Sequence, residues 1–89
     1  MINVKQAVAA SVGFLASIDN EAQDVLVEEV VYSSEIEAWL ITLSFTYPNK
    51  KSNPLSVLAG DIRKYKIFRI DPDKGEVVSM KIRELAKTQ

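Results

Sequence analysis

The sequence of 89 residues contains neither cysteine nor histidine. Their absence excludes disulfide bridges, thiolate or imidazole metal sites, cysteine nucleophiles and serine–histidine catalytic triads. The formal net charge is −1, so the chain lacks the basic excess that is typical of nucleic-acid-binding domains. We therefore expect a protein that is not an enzyme and that carries no metal and no cofactor.

Long hydrophobic runs are also absent. No apolar stretch approaches the roughly 18 residues that a membrane-spanning helix requires. The apolar N-terminal stretch 4–18 is interrupted by polar residues and is accompanied by a single basic residue, Lys5, which is not the pattern of a secretory signal. Apolar residues make up 47% and charged residues 26% of the chain. These features predict one folded domain over residues 1–89, located in the cytoplasm and without a membrane partner.

The N-terminal stretch has the features of an amphipathic helix. Asn3 and Gln6 have the spacing of a capping box, in which each side chain bonds the other residue's backbone N–H. Apolar residues then recur in steps of three and four, at Val4, Ala7, Val8, Val12, Leu15 and Ile18. Gly13 interrupts this helix, and we expect it to allow close packing against a sheet.

Four strands are predicted to follow, at about 25–32, 38–47, 62–70 and 76–85. The second has the clearest alternation, which predicts Trp39, Ile41, Leu43, Phe45 and Tyr47 in the core and the residues between them, such as Thr46, facing away. The first strand changes parity midway, and a bulge at Glu28–Glu29 would restore a single apolar face. The fold class is therefore α+β, an N-terminal helix packed on a four-stranded antiparallel meander sheet in the order 1-2-3-4.

One helix can cover only one face of such a sheet. On the other face we expect the apolar residues Leu40, Val77 and Leu85, together with either Tyr65 and Ile67 or Phe68 and Ile70. The loop at about 48–60 carries three further apolar residues, which either pack back or bind a partner: Leu55, Val57 and Leu58. These five candidates, Leu40, Leu55, Val57, Leu58 and Val77, predict a surface for a protein partner, and a homodimer through this face or the sheet edge is the expected assembly.

Basic residues are concentrated in the third strand. Single-stranded nucleic acid could bind there by charge and stacking on Tyr65 and Phe68, with four candidate residues: Arg63, Lys64, Lys66 and Arg69. The simpler interpretation is that these cations complement acidic residues of the first half, such as Glu28 and Glu29. Asp71, Asp73 and Gly75 have part of a calcium-loop pattern, but a plain turn is the favoured interpretation because further ligands are missing.

The closing hairpin carries a resemblance to a known family. The stretch Tyr-Lys-Ile-Phe-Arg-Ile-Asp-Pro-Asp-Lys-Gly-Glu-Val-Val at 65–78, within a match centred on 65–82, is similar to the closing hairpin of PepSY-like domains. Those domains resemble cystatins in architecture and are often linked to peptidase inhibition or propeptide roles. The resemblance implies a non-enzymatic protein-interaction module, such as an inhibitor or accessory factor, with the small nucleic-acid-binding protein as the alternative.

Overall fold

The computed structural model describes residues 1–48 and 63–83. In chain order they form the helix α1 (Val4–Ile18) and the strands β1 (Gln23–Ser33), β2 (Ala38–Thr46), β3 (Lys64–Ile70) and β4 (Val77–Ile82). The strands make one antiparallel sheet in the order β1-β2-β3-β4, and α1 packs on one of its faces. The predicted α+β fold is confirmed.

The capping box at the start of α1 is present. The Asn3 side chain accepts a 2.8 Å hydrogen bond from the Gln6 backbone N–H, and the Gln6 side chain accepts one of 2.9 Å from the Asn3 N–H. These two bonds satisfy backbone donors that have no partner inside the first helical turn. The helix start is therefore fixed by local sequence alone.

The buried face of α1 differs from the predicted stripe. Ala7, Ser11 and Leu15 are buried, whereas Val12 and Ile18 are exposed. Two of the three buried residues, Ala7 and Ser11, have small side chains, which allow the helix to approach the sheet closely there. The Ser11 hydroxyl is satisfied by a 2.7 Å bond to the Val8 carbonyl oxygen.

Gly13 lies on the outer side of the helix. A Cβ atom added there would meet nothing within 4 Å. The prediction that Gly13 allows close packing on the sheet is therefore wrong, and within the described residues it only lowers helix propensity.

The core lies between α1 and β2 and β3. Ile41, Leu43 and Phe45 of β2 are fully buried with Phe68 and Ile70 of β3. The alternation predicted for the second strand is thus confirmed for Ile41, Leu43 and Phe45, and Trp39 packs partly buried against them. The prediction is wrong for Tyr47, which follows the end of β2 and is 37% exposed. Two neighbours extend the core toward the sheet edge, since the rings of Tyr32 and Trp39 meet edge to face with centroids 5.2 Å apart.

The predicted bulge in β1 is confirmed. Val27 pairs with Leu43 and Glu29 pairs with Thr42, so Glu28 is the extra residue. An extra residue reverses the strand's parity, which keeps Val30 and Tyr32 on the same face as Val27. A second irregularity precedes Leu26, where Asp24 has a φ of 53°.

The turn between β3 and β4 is built around Asp71. Its carboxylate accepts the backbone N–H groups of Lys74 and Asp73, each at 2.8 Å, and Gly75 adopts a φ of 71°. The bond from Lys74 and then that from Asp73 lower the Asp71 pKa, because both stabilise the charged carboxylate. Within residues 1–48 and 63–83 there is no cluster of three or more acidic side chains placed to hold a metal.

Candidate functional site

The sheet face opposite α1, called the open face below, is an array of cross-strand neighbours. Residues that pair directly across antiparallel strands point to the same face. Two rows on this face are Val31–Leu40–Arg69–Ser79 and Glu29–Thr42–Ile67–Lys81, and a third joins Leu26, Ser44 and Tyr65.

Leu40 lies on the open face, as predicted, together with Tyr65 and Ile67. Val77 does not, because it pairs with Ile70 and packs against the core beneath α1. The cause is a register shift in β4. Arg69 pairs with Ser79 while Ile70 pairs with Val77, so Val78 is an extra residue that reverses the parity on which the prediction rested. The other partner-binding candidates, Leu55, Val57 and Leu58, lie outside the described residues, as does Leu85.

One half of the open face is a network of charged and hydroxyl side chains. Ser44 donates a 2.6 Å hydrogen bond to Glu28 and accepts one of 3.0 Å from Arg63. The same arginine also donates to the backbone carbonyl of Asp24. The Ser44 hydroxyl thus links the Glu28 carboxylate to the Arg63 guanidinium.

Arg83 forms the second part of this network. Its guanidinium donates a 2.8 Å hydrogen bond to the Thr42 hydroxyl and an ion pair to Glu29. Thr42 and Ser44, which accept these arginine hydrogen bonds, are only 1% and 0% exposed, although no helix of the described residues lies on this face. The acidic first half and basic second half of the sequence therefore meet within the fold at this ion pair, across the uncharged strand β2.

The other half of the open face is a cleft of about 180 Å³. It is lined by Ile36, Leu40, Ile67, Arg69, Ser79 and Lys81. Leu40 and Ile67 are partly buried and form its floor, while Arg69 and Lys81 are exposed at its walls. Among the residues that the structure describes, neither of these two cations makes an ion pair or a side-chain hydrogen bond.

The cleft continues into a wider groove at the end of the sheet. This end groove has a volume of about 660 Å³ and shares Arg69, Ser79 and Lys81 with the cleft. Its far wall is the turn that contains Asp71 and Asp73. An extended segment could thus lie along the groove and place one side chain in the cleft.

The basic residues of the third strand do not form one surface. Lys64 and Lys66 pair with Phe45 and Leu43 and therefore lie on the helix side, whereas Arg69 pairs with Leu40 on the open face. Arg63 is occupied by Ser44 and Asp24. A surface that binds single-stranded nucleic acid through these four cations would need all of them on one face of the sheet. The pairing register places them on both faces.

No protein-family model matches the chain, and no significant match is found among curated proteins or solved structures. The resemblance to PepSY-like domains accordingly stays a prediction. Among residues 1–48 and 63–83, no helix is both long enough and apolar enough to cross a membrane.

Proposed function

We propose that this protein is a non-enzymatic protein-interaction module that recognises an acidic, apolar segment of a partner protein. The segment would insert one apolar side chain into the cleft and place its carboxylate beside Arg69 and Lys81, rather than beside Glu37, Asp71 and Asp73, which also line the end groove. In this role the module would act as an inhibitor or accessory factor of its partner, which agrees with what the resemblance to PepSY-like domains implies.

The observation that supports this proposal is that apolar surface and cations without an ion-pair partner among the described residues lie side by side in the cleft. Leu40 and Ile67 offer apolar surface, and Arg69 and Lys81 beside them make no ion pair among the described residues. Burial of apolar surface would supply affinity, and complementary charge would supply orientation and rate of association. A segment with a carboxylate next to an apolar side chain satisfies both features together.

The size of the cleft favours a side chain over a whole small molecule. Pockets for drug-sized ligands have volumes of roughly 300–1,000 Å³. The cleft has about 180 Å³ and opens sideways into the end groove. A side chain delivered from a longer segment matches that shape.

The proposal is tested with two synthetic peptides of equal length, titrated into isotope-labelled protein and followed by NMR. One peptide carries a leucine flanked by aspartates, and the other carries the same leucine flanked by lysines. We expect only the acidic peptide to bind, with chemical-shift changes centred on Leu40, Ile67, Ser79 and their neighbours. Leu40→Lys should weaken this binding by about tenfold or more, equivalent to about 1.4 kcal/mol.

A charge-reversal variant gives a stricter test of the same peptide binding. The double variant Arg69→Glu with Lys81→Glu should lose the acidic peptide and gain the basic one. Lys5→Glu is the matched control, since Lys5 is an exposed cation on α1 and should leave binding unchanged. Shift changes that map elsewhere, or a peptide preference that survives the charge reversal, would contradict the proposal.

A further inference from the structure

β1 is an edge strand with unusual exposure of apolar residues. Within residues 1–48 and 63–83, no strand pairs with its outer edge. None of its 11 residues is buried, and four of its large hydrophobic side chains are exposed: Leu26, Val27, Val31 and Tyr32. A long apolar edge strand is a template for pairing with another strand unless it is interrupted or charged.

The irregularities in the pairing of β1 with β2 are confined to the first part of β1. The two irregularities fall between Gln23 and Leu26 and at Glu28. From Glu29 to Ser33 the strand pairs residue by residue with β2. Five consecutive residues thus present a regular outer edge, in which β-branched and aromatic side chains predominate.

We propose that this edge pairs with the same edge of a second copy, in antiparallel register about Val31, to give a continuous eight-stranded sheet. In antiparallel two-fold pairing the axis passes beside one residue, which faces its own copy. A residue a given number of positions before it faces the residue the same number of positions after it in the second copy. Both helices then lie on the same side of the joined sheet. This assembly does not depend on the proposed function of the cleft.

Charge and strand length select the register. Centring on Glu29 would place two glutamates directly opposite, and centring on Tyr32 would leave only residues 31–33 to pair, because β1 ends at Ser33. Centring on Val30 would bring the bulge at Glu28 into the hydrogen-bonded ladder between the two copies. It would also make the two copies of Glu29 diagonal cross-strand neighbours. Like charges in such positions destabilise a sheet.

Pairing about Val31 avoids each of these conflicts. Glu29 then faces Ser33 of the second copy, Val30 faces Tyr32, and Val31 faces itself. The ladder would contain about four to six backbone hydrogen bonds. On the open face Leu40 and Val31 would continue into their counterparts, which forms one uninterrupted apolar row across the interface.

The absence of cysteine from the natural sequence makes a direct test possible. Directly opposite residues have Cβ atoms about 4.5–5.5 Å apart, close to the separation that a disulfide requires. Val31→Cys should therefore form a covalent dimer under mild oxidation at least about tenfold faster than Val78→Cys, because collisions alone link the control. The control is fair because residue 78 is 56% exposed and residue 31 is 41% exposed.

The register has its own readout. Glu29→Cys and Ser33→Cys should cross-link when mixed, and neither should cross-link efficiently alone. Sedimentation of the natural protein at hundreds of micromolar should show a dimer, and Val31→Lys should weaken its association by about tenfold while the circular dichroism spectrum is unchanged. A monomer at that concentration, equal rates for Val31→Cys and Val78→Cys, or cross-linking of Glu29→Cys with itself would overturn the proposal.

Discussion

Ser44 on β2 donates a 2.6 Å hydrogen bond to Glu28, the residue that bulges from β1. On a regular strand Glu28 and Glu29 would point to opposite faces. The bulge instead lets both carboxylates reach the open face, where Arg63 approaches Glu28 through Ser44 and Arg83 pairs with Glu29. One extra residue in an edge strand thereby organises half of the open face. In the other half, the cleft, Arg69 and Lys81 form no ion pair with any residue that the structure describes.

The core should depend strongly on Phe45. This side chain is fully buried between α1 and the sheet, so Phe45→Ala is expected to lower the free energy of unfolding by about 3–5 kcal/mol. Denaturant melts followed by circular dichroism measure the change. Ile82→Ala is the control, since Ile82 is 74% exposed and its truncation should change stability by less than about 0.5 kcal/mol.

Substitution of Thr46 should also lower the free energy of unfolding, although the sequence alternation predicts that Thr46 faces away from the core. Thr46 is buried, and its hydroxyl donates a 3.1 Å hydrogen bond to the Asp24 carboxylate. Thr46→Val should therefore cost about 0.5–1.5 kcal/mol in the same melts. A loss as large as that of Phe45→Ala would contradict the assignment of the two faces.

Two glycines should respond to alanine with opposite signs. Gly13 lies in an exposed helix interior with open space around it, so Gly13→Ala should stabilise the protein by about 0.5–1 kcal/mol. Gly75 has a φ of 71°, and a Cβ there would lie 3.4 Å from the Ile2 side chain, so Gly75→Ala should destabilise by about 1–2 kcal/mol. Thermal melts of both variants measure the change in stability. A change of the same sign in the two variants would contradict the structure.

The ion pair between Glu29 and Arg83 should be weak and sensitive to salt. Both side chains are partly solvated, at 48% and 38% exposure, so a double-mutant cycle with Glu29→Gln and Arg83→Gln should give a coupling energy of about 0.2–1 kcal/mol. The coupling should decrease at high salt because exposed charges are screened. Glu29→Gln combined with Lys5→Gln is the control cycle, and its effects should add within about 0.5 kcal/mol.

Tyr47 should titrate later than an ordinary tyrosine. Its hydroxyl donates a hydrogen bond to the Asp19 carboxylate, which raises the Tyr47 pKa because deprotonation removes the donor. Partial burial and the charges of Asp19 and Glu21 act in the same direction. A spectrophotometric titration should therefore show a late-titrating tyrosine that is missing in Tyr47→Phe and shifts to lower pH in Asp19→Asn.

The same bond links stability to alkaline pH. A pKa that is raised by folding contributes stability that is fully present below the unfolded value, about 10 for tyrosine. That contribution is lost as the pH rises through the higher folded value. The stability difference between the natural protein and Tyr47→Phe should consequently shrink in alkaline melts, and a difference that grows with pH would show the opposite sign of shift.

Local features of the fold were predictable from the sequence because their physics is local. The capping box at Asn3, the turn at Asp71 and the alternation from Trp39 to Phe45 each involve residues a few positions apart. The bulge at Glu28 was predictable as well, since the apolar parity of β1 changes at that point. These features established the fold class and the position of Leu40 on the open face.

The site depended on information that no local pattern carries. Val77 was assigned to the wrong face because one extra residue, Val78, reverses the alternation of β4 between the two faces. No local sequence pattern indicates that extra residue. The cleft exists only because the β2–β3–β4 register brings Ile67, Arg69 and Lys81 beside Leu40. Short-range propensities determined which segments become strands, whereas the pairing of strands distant in sequence decided which side chains meet, because register is set by packing of the whole sheet.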